Sequence, residues 1–142
     1  MTVKEEIRKL RNESDIAYIG SVNKDGFPQI KAMLVPEHDS LKTQYFSTNV
    51  SSKRTGQFQK NRKASVYYTD NTKDLYKGAL FTGTMEVCLD HETKAFLWRD
   101  GDEIYYPAGI DDPDYCVFKF TAETVNYYHS LGNTTFSIDE IE

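Results

Sequence analysis

Between Asp15 and His129 the apolar residues of this chain recur with the period of β-strands, and only two short stretches have the composition of a helix. Ile16 to Val22 and Phe27 to Val35 are joined by Asn23-Lys24-Asp25-Gly26, and an Asp-Gly step supplies the positive φ that a tight hairpin requires. A second hairpin is expected around Pro36 to Ser40, leading into Leu41 to Ser47. Lys63 to Thr69 alternates as a strand, Asp70 to Lys73 reads as a turn, and Leu75 to Leu89 reads as a long strand. Gly78 and Gly83 inside that strand signal a bulge or a close backbone approach. Tyr115 to Phe120 and Thr124 to His129 read as a closing strand pair. Six or seven strands with so little helix exclude a doubly wound parallel sheet and predict a mainly β protein, a closed or partly closed barrel. Ten tyrosines and eight phenylalanines suit such half-buried pleated surfaces.

The remaining segments decorate that barrel. Val3, Ile7 and Leu10 share one helical face in residues 2–12, and Asn12-Glu13-Ser14 ends the pattern. Thr48 to Asn61 is the one central segment without strand character, with about two helical turns expected over Lys53 to Lys60. Asp90 to Trp98 reads as a second capped helix, in which Phe96 and Trp98 are expected to pack in the core or at an interface. Arg99 to Pro113 is polar and turn-rich, flanked by Tyr105, Tyr106 and Tyr115 as candidates for a pocket or a dimer seam. From Leu131 onward the chain has little pattern. With 142 residues and no repeat or linker, residues 1–142 are expected to form a single domain.

Charge and scattered ligand types narrow the function. A net charge of −5 argues against non-specific nucleic-acid binding, which needs cations to displace phosphate counterions. No run approaches the ~20 apolar residues of a membrane span, so a cytoplasmic location with no membrane partner is expected. Cys88 and Cys116 stand far apart in apolar runs and read as small buried side chains. His38, His91 and His129 are equally dispersed, so no metal site is expected. No nucleophile–base set, GxSxG, HExxH or Walker motif is present; catalytic residues stay unassigned, and any catalysis would fall to a cofactor.

The most informative stretch is Tyr45-Phe46-Ser47-Thr48-Asn49-Val50-Ser51-Ser52-Lys53-Arg54. Hydroxyls end a strand, Asn49, Ser51 and Ser52 are N-cap types, and two cations follow at the helix start. A helix start offers free N–H groups and positive potential, to which Lys53 adds a compact charge and Arg54 a forked donor pair. Two readings are open from these residues alone: a phosphate site, or a capped surface helix with solvated cations. Lys31, among apolar neighbours in Ile30 to Val35, is either a solvated strand residue or one that faces a ligand.

In order and spacing, three blocks resemble the split-barrel proteins that bind flavin mononucleotide (FMN) and are related to pyridoxamine 5′-phosphate oxidase. They are Phe27-Pro-Gln-Ile-Lys-Ala-Met33, Tyr45 to Arg54 with Asn61-Arg-Lys-Ala-Ser-Val66, and Leu80-Phe-Thr-Gly-Thr-Met-Glu86. Gly101-Asp-Glu-Ile-Tyr-Tyr-Pro107 and Asp112-Pro-Asp-Tyr-Cys-Val117 are similar to the general stress protein subgroup. The resemblance implies an FMN-binding split β-barrel with Greek-key-like connections, acting as a homodimer with FMN at the subunit interface. It implies that Lys53 and Arg54 hold the FMN phosphate, helped by Ser47, Thr48, Asn49 and Ser52, and that the backbone of Lys31, Ala32 and Met33 borders the flavin.

Two departures bear on activity. Ala32 stands where the full-length oxidases carry an arginine, with Lys31 one place earlier, and their Trp- and Arg-containing substrate segment is missing after Tyr128. Oxidation of vitamin B6 phosphates is therefore not expected. The leading expectation is an FMN-dependent oxidoreductase serving a small-molecule redox partner, with Lys31 as a candidate donor to the flavin. The alternative is a non-catalytic flavin store or redox sensor. Haem or a deazaflavin is a third occupant, and haem would call for an axial ligand that the dispersed histidines support little.

Overall fold

A computed structural model describes the chain apart from residues 38, 71, 73, 74 and 75. Seven strands form one antiparallel sheet: β1 (Ile16–Val22), β2 (Pro28–Leu34), β3 (Thr43–Asn49), β4 (Lys63–Asp70), β5 (Lys77–Cys88), β6 (Tyr115–His129) and β7 (Gly132–Ser137). Hydrogen-bonded neighbours run β2-β1-β4-β5-β6-β3, with β7 also on β6. The end strands β2 and β3 approach each other without pairing, so the sheet rolls into a barrel left split along one seam.

Four helices punctuate the sheet: α1 (Val3–Asn12), α2 (Lys53–Lys60), α3 (His91–Leu97) and α4 (Ile138–Ile141). Local chemistry starts each of the first three. Thr2 and Glu5 form a reciprocal capping box for α1. Ser52 caps α2 through Thr55 N–H, and Asp90 caps α3 through Thr93 N–H. Thr93 donates twice to Asp90, which holds that carboxyl below the usual carboxylate range. The barrel interior is filled by Ile19, Phe46, Val66, Phe81, Met85, Phe118 and Phe120, all fully buried, with Ile7 and Leu10 of α1 packed against them. Each such aliphatic or aromatic side chain contributes roughly 1.5–3 kcal/mol.

Four features differ from the sequence reading. The second hairpin does not form: β3 pairs with β6, through Thr43↔Thr121 to Asn49↔Tyr115, and not with β2. The expected pair 115–120 and 124–129 is one continuous strand. Thr82 and Gly83 of β5 face Thr124 and Ala122, so Glu123 is an extra residue that shifts the side-chain phase midway and mimics a break. The bulge foreseen at Gly83 has a steric cause, because a Cβ there would sit 2.0 Å from the Thr121 carbonyl oxygen. Thr48 and Asn49 belong to β3, not to the helical segment. The unpatterned tail forms β7 and α4, with β7 paired along Thr124↔Ser137 to His129↔Gly132. Its hairpin turns through Ser130 (φ 52°) and Leu131 (φ 67°), residues that carry no turn signature. The turn expected at Asp70 to Lys73 and the strand start at Leu75 fall partly outside the described residues.

Candidate functional site

The sequence segment Ser47 to Arg54 folds as a strand end, a tight turn and a helix start. Strand alternation sends neighbouring side chains of β3 to opposite faces. Thr48 points inward with Phe46 and is buried, whereas Ser47 shares the outer face with Tyr45 and Asn49 and is exposed. The turn closes through Ser52 N–H to the Asn49 carbonyl (3.1 Å), and the Thr55 hydroxyl donates to the same carbonyl (2.8 Å). Ser52 Oγ accepts Thr55 N–H at 3.2 Å, so the Ser52 side chain is committed to the cap.

Val50 N–H goes to the Asp114 carbonyl at 2.7 Å and Ser51 N–H to Asp114 Oδ1 at 2.9 Å. Among the described residues, the N–H groups of Lys53 and Arg54 have no acceptor, as expected in the first turn of a helix. The Arg54 Nε is buried and has no hydrogen-bond partner among the described residues, while burial lowers the guanidinium from its ordinary value. A buried donor of this kind costs about 1–3 kcal/mol until an acceptor reaches it. The exposed Lys53 lies one residue earlier and borders an open cleft of about 830 Å³ between α2 and the β1–β2 hairpin, shared with Gln29, Gln57 and Lys60. Ser21 Oγ donates to Gln57 Oε1 and ties α2 to β1.

The strand β2 contributes differently. It pairs only with β1, so one backbone edge of Lys31, Ala32 and Met33 faces the seam without a strand partner. Met33 is buried, whereas Lys31 and Ala32 are exposed. Lys31 shares its side of β2 with Met33 and with the cleft residue Gln29. The structure thus gathers Asn49, Ser52, Lys53 and Arg54 at one turn, and carries Lys31 to Met33 on the other side of the seam.

Outside this region the chemistry is quiet. Burial pushes the Cys88 and Cys116 thiols up to about 11, so both are uncharged at neutral pH. The described residues hold no cluster of metal-ligand types. His91 pairs with Asp111 at 2.8 Å on the surface, His129 stacks on Tyr127, and His38 lies outside the described residues. Trp98, Tyr106 and Tyr115 pack together beneath α3, with Tyr115 5.2 Å from Trp98 and 4.9 Å from Tyr106. Phe96 stays about half exposed against Tyr45, and Tyr105 is exposed. Sequence reading missed Asp114, because an Asp-Pro-Asp step in a polar loop looks like an ordinary turn and its partner Ser51 is 63 residues away.

A sequence model described as Pyridoxamine 5′-phosphate oxidase like matches residues 2–141. The chain belongs to that family. A crystal structure from Clostridium acetobutylicum, described as related to general stress protein 26 of B. subtilis and of the pyridoxinephosphate oxidase family, is 45% identical. It has a TM-score of 0.86, and the match covers 98% of this chain and 96% of that one. General stress protein 26 from Bacillus anthracis str. Sterne has the same fold at 18% identity (TM-score 0.75, covering 96% and 100%). A heme binding protein from Mycobacterium smegmatis shares the fold at 14% identity (TM-score 0.79), with 99% of this chain and 60% of that one covered. No curated protein sequence matches this chain. In this pyridoxamine 5′-phosphate oxidase-like chain no helix among the described residues is long and apolar enough to cross a membrane.

Proposed function

We propose that this chain binds FMN in a homodimer and serves as a flavin-dependent oxidoreductase toward a small molecule. The observation that carries the reading is the buried Arg54 Nε, without a hydrogen-bond partner among the described residues, together with the open N–H groups of Lys53 and Arg54 at the start of α2. A dianionic phosphate would answer all three donors and draw on Lys53, because charge-assisted bonds are roughly twice as strong as neutral ones. Asn49 and Ser52 would shape the turn, with Ser47 and Thr48 at the strand end behind it. The free backbone edge of Lys31 to Met33 would border the ring, and the Lys31 ammonium is the candidate donor to its reduced, anionic form. When bound, FMN supplies reversible electron and hydride transfer. The chain's part is to hold, orient and electrostatically bias it.

The homodimer has its own support. The outer face of β2, β1, β4 and β5 carries Tyr18, Tyr67 and Leu80 in one cross-strand row, with Ile30 (78% exposed) and Leu34 (76% exposed) beside Tyr18. Contiguous exposed apolar surface of this kind is rare on a monomer. Haem receives less support, since neither described histidine borders the cleft.

The test is a titration of the purified protein with FMN, followed by absorbance under oxidising and reducing conditions. Uptake with a shifted flavin spectrum is expected; a colourless protein that ignores FMN overturns the reading. Bound flavin with no turnover by reduced nicotinamide cofactors would make it a flavin store or redox sensor instead. Sedimentation of an Ile30→Glu, Leu34→Glu double variant is expected to report a monomer where the parent is a dimer.

A further inference from the structure

We infer that Asp114 is the positioning residue of the anion-binding turn, a role that presupposes the flavin reading above. It grips the turn from outside with three hydrogen bonds. Its carbonyl accepts Val50 N–H at 2.7 Å, Oδ1 accepts Ser51 N–H at 2.9 Å and Oδ2 accepts the Ser51 hydroxyl at 3.2 Å. Asn49 Nδ2 donates to the same Ser51 oxygen at 2.8 Å, so that hydroxyl is held from both sides. The grip is itself anchored. Asp114 N–H donates to Asp112 Oδ1 at 2.9 Å, Ala108 N–H donates to Asp112 Oδ2 at 3.0 Å, and these two donors hold the Asp112 carboxyl below the usual range.

The polar Asp112-Pro113-Asp114 step thus has a use beyond turning the chain. A carboxylate next to an anion site opposes the ligand's charge, so its presence needs a compensating gain. That gain is geometric. By occupying the donors of Val50 and Ser51, Asp114 fixes the turn in which Ser52 N–H closes on the Asn49 carbonyl and the N–H groups of Lys53 and Arg54 remain open among the described residues. Preorganised donors bind without the reordering cost of a mobile turn. The effect belongs to the phosphate end alone, because among the described residues the hydrogen bonds of Asp114 run to Val50, Ser51 and Asp112 and none runs to β2.

The experiment compares FMN with riboflavin, which lacks the phosphate, in the parent, Asp114→Ala and Asp114→Asn, with amide hydrogen exchange of the flavin-free proteins alongside. Asp114→Ala is expected to weaken FMN about tenfold, leave riboflavin within about twofold, and speed exchange across Ser51 to Thr55. Asp114→Asn keeps one acceptor for Ser51 N–H and sheds the opposing charge, so it restores most of the FMN affinity. Equal losses for both flavins, or no rescue by asparagine, overturn the positioning role. A parent that binds neither flavin removes the flavin reading instead; exchange unchanged at Ser51 to Thr55 in Asp114→Ala would then remove the grip as well.

Discussion

Replacing Arg54 with methionine separates what the guanidinium does for a ligand from what it does for the fold. The stem volume is kept and the buried Nε, which has no acceptor among the described residues, disappears. An unpaired buried donor costs about 1–3 kcal/mol, part of which the remaining guanidinium groups offset by reaching water. The flavin-free protein is therefore expected to gain about 1 kcal/mol, a rise of roughly 3 °C in Tm for a domain of this size. With FMN bound the sign reverses. A hydrogen bond to a charged group contributes about 1.5–3 kcal/mol, and each 1.4 kcal/mol is tenfold, so Kd should rise roughly 10- to 100-fold. Riboflavin affinity should stay unchanged. Thermal melts without ligand and fluorescence titrations with the two flavins read all three quantities. A fall of several degrees in the free protein, or equal weakening of FMN and riboflavin, would refute the assignment of Arg54 to an anion.

Three further outcomes follow from the fold. Gly83→Ala places a Cβ 2.0 Å from the Thr121 carbonyl and must pry β5 from β6, whereas Gly26→Ala (φ 85°) meets no atom within 4 Å. The first should cost more than 3 kcal/mol and the second about 1 kcal/mol in urea unfolding, with similar costs counting against the bulge geometry. Ser130→Asn with Leu131→Gly suits the two positive φ angles, and Leu131 is 90% exposed, so little packing is lost. This pair should stabilise by about 1 kcal/mol, read as a higher urea midpoint. Burial alone would raise the Glu142 carboxyl, but hydrogen bonds from Ser40, Leu41 and Lys42 outweigh it and bring the group below its ordinary value. A carboxyl lowered on folding stabilises above its unfolded pKa and loses that contribution as pH falls through the folded one. Glu142→Gln should therefore lower Tm near neutral pH and converge with the parent once pH falls below the lowered, folded-state pKa of the carboxyl.

The local geometry of the turn at the candidate site was legible in the sequence. Ser52 caps α2 where a hydroxyl stands before two cations, and α2 covers Lys53 to Lys60 as its composition indicates. The fold class was legible for the same reason, since alternation in β1, β4 and β5 is a local property of each strand. The Asp25-Gly26 hairpin also forms, with Gly26 at positive φ. What misled was phase and partnership: Glu123 shifts the alternation of β6, and Ser130-Leu131 turns without the residues that usually turn.

Alone, then, the amino-acid order determined that β1, β2, β4 and β5 are strands and where the helix carrying the cations starts. Tertiary structure decided that β3 joins β6 and leaves a seam beside β2, that Arg54 Nε lacks an acceptor among the described residues, and that Asp114 reaches Ser51. The division has a physical cause. Caps and turns act within about four residues and leave a local signature, whereas pairing and donor accounting depend on groups dozens of residues apart that meet only once the barrel has closed.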